Sequence, residues 1–168
     1  NELTAVIVHE NGKGWRDADA ETCEAIDFCE FYAREAIQLF EEQRLGEYVG
    51  EHNSLIHEGR GPCAVIAPWN FPLAILCGMS VAALVTGNPV LMKPAEQTTG
   101  IARMLFDILL EAGAPEDVLH FLPGQGETVG VQLVSDPRVA LIAFTGSKAV
   151  GLNIIETAGL TSEAQTQV

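Results

Sequence analysis

Pro68-Trp69-Asn70-Phe71-Pro72 decides the fold, because it joins two apolar runs of different character. Before it, Gly61 to Ala67 (GPCAVIA) reads as a buried strand. After it, Leu73 to Thr86 reads as a buried helix. Pro72 suits its first position, where proline has no N–H to satisfy. The pentapeptide is therefore a strand-to-helix turn, stiffened by Pro68 and Pro72. It carries an indole and a side-chain amide at the C-terminal end of a strand, where ligands of α/β sheets bind. An Asn held there can aim its N–H groups at a developing oxyanion. The other reading of these residues alone is a rigid turn whose Asn caps the helix.

Gly87-Asn88-Pro89 ends that helix, and Val90-Leu91-Met92 is a second apolar run closed by Lys93-Pro94-Ala95-Glu96-Gln97-Thr98. Further on comes Phe144-Thr145-Gly146-Ser147. With PWNFP, KPAEQT and FTGS in this order and spacing, the chain resembles the NAD(P)-dependent aldehyde dehydrogenases from about residue 46 onward.

Lys93 and Glu96 follow the second strand. A lysine there can hydrogen-bond ribose hydroxyls, and a carboxylate beside it accepts from a 2′-OH and repels a 2′-phosphate. The resemblance implies that this pair holds the adenosine ribose and favours NAD over NADP; the alternative is an ordinary surface pair. Gly124 to Gly130 (GQGETVG) follows the third strand and allows close backbone approach. Alone it is a degenerate dinucleotide fingerprint; the resemblance puts Gly126 and Gly130 on the adenine side. Gly146 turns the chain after the fourth strand, and Ser147 begins a helix whose free N–H groups and dipole favour an anion. The resemblance implies that Ser147 binds pyrophosphate and that Gly146 packs beside the nicotinamide. Without it, the segment reads as a capped helix start. The full cofactor-binding set implied is Ile66, Ala67, Pro68, Trp69, Lys93, Ala95, Glu96, Gly126, Gly130, Phe144, Thr145, Gly146, Ser147 and Val150.

Asn70 is the one catalytic candidate. In the family, this side-chain amide and a backbone N–H of a nucleophilic Cys form the oxyanion hole for a thiohemiacetal, from which hydride passes to NAD. None of Cys23, Cys29, Cys63 and Cys77 lies in the family's Gly-Gln-x-Cys type of context, and no E-L/M-G-G segment supplies the general-base Glu. The 168-residue chain alone is therefore expected not to turn over an aldehyde.

A chain of 168 residues can bury a real core, and 48% apolar with 19% charged residues is an ordinary globular balance. The net charge of −14 argues against nucleic acid and anionic membrane as partners and favours solubility. The cysteines form no CxxC pair and read as reduced core residues. His9, His52, His57 and His120 show no metal-ligand spacing. The longest apolar run, Phe71 to Val85, is too short to span a bilayer, and no signal peptide opens the chain. These features imply a cytoplasmic protein without a resident metal.

Residues 1–45 read as an N-terminal helical segment, with Leu3 to Val8 as strand or helix. A long helix is expected from about Ala20 to Arg44, capped by Asp17 or Asp19 and stopped by Gly46. Its apolar stripe is Ala25, Phe28, Cys29, Tyr32, Ala36 and Phe40. Residues 46–60 read as a connecting strand or ribbon. Residues 61–168 read as a partial dinucleotide-binding domain of Rossmann type, in which strands alternate with helices to give a parallel sheet covered on both faces. Strands are expected at Pro62–Ala67, Val90–Lys93, Val118–Leu122 and Leu141–Phe144. Helices are expected at Leu73–Thr86, Thr98–Ala112, Glu127–Ser135 and Ser147–Ala158, with Gly113 and Gly159 as stops. Both ends read as cut, the polar tail from Leu160 stopping where a further strand is due. The missing strand leaves the second mononucleotide half incomplete, which implies weak NAD binding by the chain alone, and its neighbour's apolar edge implies association into homo-oligomers.

Asn11-Gly12-Lys13-Gly14-Trp15-Arg16-Asp17-Ala18-Asp19-Ala20-Glu21, followed by Glu24-Ala25-Ile26-Asp27-Phe28 and Tyr32-Ala33, resembles the 1-pyrroline-5-carboxylate dehydrogenases. These oxidise glutamate 5-semialdehyde to glutamate, alone or fused to a proline dehydrogenase. Two other readings stay open. One is a different aldehyde dehydrogenase, such as a succinate-semialdehyde type. The other is a non-catalytic nucleotide-binding or oligomer-forming module.

Overall fold

The computed structural model describes residues 1–161; the polar tail beyond lies outside the described residues. Helix α1 (Glu2–Asn11) resolves the strand-or-helix reading of Leu3 to Val8. It closes at Gly12, whose φ of 78° lets its N–H reach Val8 O. Helix α2 (Trp15–Leu39) starts and ends earlier than the sequence suggests. Its N-cap is Gly14, with no side-chain cap, so neither Asp17 nor Asp19 caps it; Asp17 instead sits in the first turn, where the dipole favours an anion. The last turn has no basic residue, and Glu41 and Glu42 follow it. Negative charge opposes the dipole there, so the apolar period does not carry the helix to Arg44. Gln43–Arg44 (β1) instead pairs antiparallel with Ser54–Leu55 (β2), and the ribbon begins before Gly46.

Four apolar runs then build one parallel sheet. They are β3 (Cys63–Ile66), β4 (Val90–Lys93), β5 (Leu119–Phe121) and β6 (Leu141–Phe144), in the order β5-β4-β3-β6. Cys63 pairs with Val90 on one side and with Leu141 on the other. The connecting helices are α3 (Ala74–Val85), α4 (Thr99–Glu111), α5 (Val131–Ser135) and α6 (Lys148–Thr161). Helix α3 starts at Ala74, so Pro72 lies in the turn before it rather than in its first position. A single π-turn over Gly126–Gly130 replaces the start of the helix expected from Glu127. Gly113, with φ 104°, follows α4 as expected. Gly159 is no stop, because α6 continues to Thr161; an interior glycine costs a helix only about 1 kcal/mol.

Every residue of β3 is buried, which is why it reads as an unbroken apolar run. Its alternate residues face two cores. Cys63 and Val65, with Val90, Met92 and Leu119, meet α3 and α4 through Leu76, Ile101 and Leu105. Ala64 and Ile66, with Ile142, meet Leu133 and Val134 of α5 and Ile154 and Ala158 of α6. Helices α1 and α2 extend the first core through Ile7, Ala18 and Ala25. Helix α2 approaches α3 closely at Gly78, where any Cβ would lie 2.9 Å from the Phe28 ring.

Two buried or bridging carboxylates reach from this outer layer to the helices beneath. Glu10 of α1 accepts the backbone N–H groups of Gly100 (2.6 Å) and Ile101 (2.8 Å) at the start of α4. Glu21 of α2 accepts those of Leu73 (2.8 Å) and Ala74 (3.2 Å) at the start of α3. Free N–H groups at helix starts need such acceptors. The chain runs outward from β3 to β4 to β5 and returns to β6 on the other side. This reversal opens a crevice at the C-terminal ends of β3 and β6, where open α/β sheets bind ligands.

Candidate cofactor and active site

The strand ends position the site. Ladder bonds continue one step past the strands, with Ala67 N–H to Lys93 O (3.2 Å) and Thr145 N–H to Ile66 O (3.1 Å). Three turns therefore leave the sheet side by side. A groove of about 510 Å³ lies over them, the size of a cofactor cleft rather than a water cavity. Ile66, Ala67, Pro68, Trp69 and Asn70 line it from β3; Lys93, Ala95 and Glu96 from β4; Phe144, Thr145, Gly146, Ser147 and Val150 from β6; and Gly126 from the π-turn. Gly130 lines an adjoining apolar cavity, which shares Ile66, Lys93, Gly126 and Val150 with the groove. Gln97 is the one groove residue the sequence reading missed, and its place beside Glu96 was the available signal.

Lys93 is 3% exposed. Its Nζ lies 3.7 Å from Glu96 Oε2, and Gln97 Nε2 donates to the other carboxylate oxygen at 3.2 Å. The lysine is thus buried with one long, partly solvated ion pair, leaving donor capacity for a ligand. Ser147 Oγ accepts the Val150 N–H at 3.3 Å. The hydroxyl therefore caps α6 and keeps its own proton to donate. At Gly146 a Cβ would meet the Phe144 ring at 2.6 Å, so the backbone can lie against that ring only with glycine.

Asn70 does not cap α3. The α3 N-cap is Leu73, which makes no side-chain bond, and Glu21 takes the free N–H groups. The Asn70 side chain is exposed in the groove with no hydrogen-bond partner among the described residues. The capping half of the alternative reading therefore fails: this Asn is not spent on the helix.

The cysteines depart from the core reading. Cys63 and Cys77 are buried, while Cys23 and Cys29 are exposed. Cys29 Sγ lies 3.6 Å from Cys77 Sγ. None of the four lines the groove. Burial pushes the Cys63 thiol up to about 11 and pushes Cys77 up as well, helped by Cys29. Neither buried thiol supplies a thiolate at neutral pH. Iodoacetamide at pH 7.5 should therefore label Cys23 and Cys29 in the folded protein and spare Cys63 and Cys77, as read by peptide mass spectrometry. Labelling of Cys63 as fast as Cys23 would contradict this. Among the described residues there is no cluster of three metal-binding side chains, and no helix is long and apolar enough to cross a membrane.

The same fold recurs in known proteins. The family model described as "Aldehyde dehydrogenase family" matches residues 1–167. 1-Pyrroline-5-carboxylate dehydrogenase 2 of Halalkalibacterium halodurans is 45% identical over 165 residues, covering 98% of this chain and 32% of that protein. The 1-pyrroline-5-carboxylate dehydrogenase of Anoxybacillus flavithermus is 48% identical over 158 residues, covering 94% and 31%. The chain thus spans about a third of the length of the curated relatives it matches. Among solved structures, 1-pyrroline-5-carboxylate dehydrogenase from Thermus with bound NAD superposes with a TM-score of 0.94 at 45% identity, covering 99% of this chain and 33% of that one. Proline utilization A from Bdellovibrio bacteriovorus does so with a TM-score of 0.94 at 49% identity, covering 99% and 18%. The family model spans nearly the whole chain and the fold superposes at a TM-score of 0.94, so the chain belongs to the aldehyde dehydrogenase family.

Proposed function

We propose that this chain is the NAD-binding part of an aldehyde dehydrogenase that oxidises glutamate 5-semialdehyde, the open form of 1-pyrroline-5-carboxylate, to glutamate. The observation that carries the reading is one groove at the switch point of a parallel sheet, lined by Asn70, Lys93, Glu96 and Ser147. The substrate is taken from relatives that are named for it, and the cofactor from a relative solved with NAD. A cytoplasmic, homo-oligomeric enzyme without nucleic-acid partners is part of the same reading.

The residues fit the cofactor. The buried Lys93 has donor capacity beyond its 3.7 Å contact with Glu96, and Glu96 offers an acceptor at the groove. Together they would hold the two ribose hydroxyls. Ser147 and the first N–H groups of α6 would hold the pyrophosphate. Gly126 and Gly130 leave room beside the adenosine, since a Cβ at either would meet nothing within 4 Å. Bound NAD supplies the hydride acceptor. Asn70 would donate to the substrate oxygen as negative charge develops on it, lowering the barrier by stabilising the oxyanion.

The test is made on the full-length protein that carries this segment. NADH formation should give a higher kcat/KM with glutamate 5-semialdehyde than with succinate semialdehyde. The reverse order would favour the other aldehyde dehydrogenase reading, and NAD binding without turnover would favour a non-catalytic module. Glu96→Gln should lower the NAD/NADP ratio of kcat/KM by roughly tenfold, because a charged acceptor for the 2′-OH, worth about 1.5–3 kcal/mol, is lost along with its repulsion of phosphate. An unchanged ratio would remove the role assigned to Glu96.

A further inference from the structure

The segment Asn11 to Glu21 has no place in the chemistry above, yet it holds the Pro68–Pro72 turn at two points and the start of α3 at a third. Asn11 Nδ2 donates to Trp69 O at 2.5 Å. The Lys13 ammonium sits 3.7 Å over the centre of the Phe71 ring. Lys13 also pairs with Glu21 Oε2 at 2.5 Å, while Glu21 Oε1 takes the Leu73 and Ala74 N–H groups. The residues on both sides of Asn70 are thus tied to α1 and to the loop that follows it, and Asn70 itself is tied to nothing described.

Asn is among the best N-cap residues, and Asn70 stands three residues before Leu73. Left alone, it is the side chain suited to cap α3. Glu21, 1% exposed, occupies those N–H groups instead. Burying a carboxylate is costly, and one cation, two N–H donors and the positive end of a helix dipole offset that cost. A simple cap would need none of this apparatus.

We propose that Glu21, held by Lys13, is a positioning residue: it caps α3 in place of Asn70 and so keeps the Asn70 amide free for the groove. This rests on the reading of Asn70 as the oxyanion donor. When Glu21 is removed, Asn70 turns back onto the Leu73 and Ala74 N–H groups and is lost to catalysis.

A double-mutant cycle in the full-length enzyme tests this. Glu21→Ala should lower kcat by at least ~10-fold, since ångström-scale misplacement of a reacting group can cost ~100-fold. The Kd for NAD should stay within about twofold. In an Asn70→Ala background, Glu21→Ala should cost less than about twofold more, because both changes remove one donor. Amide hydrogen exchange supplies a readout independent of turnover. The peptide over residues 71–76 should remain protected in Glu21→Ala, where Asn70 takes over the cap, and exchange fast only in the double variant. Glu21→Gln, which keeps the shape and one acceptor but loses the charge pairing with Lys13, covers the case in which Glu21→Ala fails to fold; it should show the same non-additivity with a smaller loss. Losses that multiply in the double variant, or fast exchange at 71–76 in Glu21→Ala alone, would overturn the proposal. An Asn70→Ala enzyme with unchanged kcat would instead overturn the oxyanion reading, and the exchange data would still decide whether Asn70 and Glu21 compete for the cap.

Discussion

Asn70→Ala is expected to lower kcat of the full-length enzyme by about a hundred- to a thousandfold, the usual loss when one oxyanion-hole donor is removed. The melting temperature and the Kd for NAD should barely move. Stability should hold for a reason as specific as the one behind the rate loss. Asn70 is exposed and bonded to no described residue, and the helix it would otherwise cap is capped by Glu21. Exposed changes away from caps and cores usually stay within about 0.5 kcal/mol. Asn70→Asp keeps the shape but turns a donor into an anion facing the oxyanion, so its loss should be at least as large. Steady-state kinetics with thermal melts separates the cases. A rate loss below about tenfold would take Asn70 out of the oxyanion hole. A large rate loss accompanied by a large drop in melting temperature would make the residue structural.

The contrast between Asn70 and Glu21 also marks where sequence reading works. Strands β4 and β6 were legible to the residue, because each is a largely apolar run bounded by turn residues. The turns after β3, β4 and β6 were legible for the same local reason, and they brought Asn70, Lys93, Glu96 and Ser147 into view. The end of α2 was not, because apolar spacing persists to Phe40 while the charges at Glu41 and Glu42 oppose the helix. Bonds from Glu10 to Gly100 and from Glu21 to Leu73 span 90 and 52 residues, and no local pattern encodes them. One trace was present. Glu21 lies one helical turn before Ala25, on the buried stripe of α2, and an acid on a buried stripe demands a partner. Cys29 misled in the opposite sense: its spacing fits the stripe, but the outer helix leaves it partly uncovered.

Lys93→Met should weaken NAD binding and at the same time leave stability unchanged or raise it. Lys93 closes β4, is 3% exposed, and faces a cavity shared with the apolar Ile66, Val134 and Ile154. Its one ion pair among the described residues is the 3.7 Å contact with Glu96, whose side chain is 45% exposed. Desolvating an ammonium costs several kcal/mol, and a long contact to a half-solvated carboxylate offsets only part of it. Replacing poorly compensated buried charge by an apolar side chain of similar length is commonly neutral or stabilising, by about 1–4 kcal/mol. The ligand side has the opposite sign. A charged donor to ribose hydroxyls is worth about 1.5–3 kcal/mol, so its removal should raise the Kd for NAD by roughly 10- to 100-fold. Calorimetry for binding and a melt without nucleotide read the two signs independently. A fall in both affinity and stability would make Lys93 a structural residue, and an unchanged Kd would take it out of the cofactor site. Opposite signs would identify Lys93 as a residue kept for the ligand at the expense of the fold, the trade expected where a core is cut open to make a site.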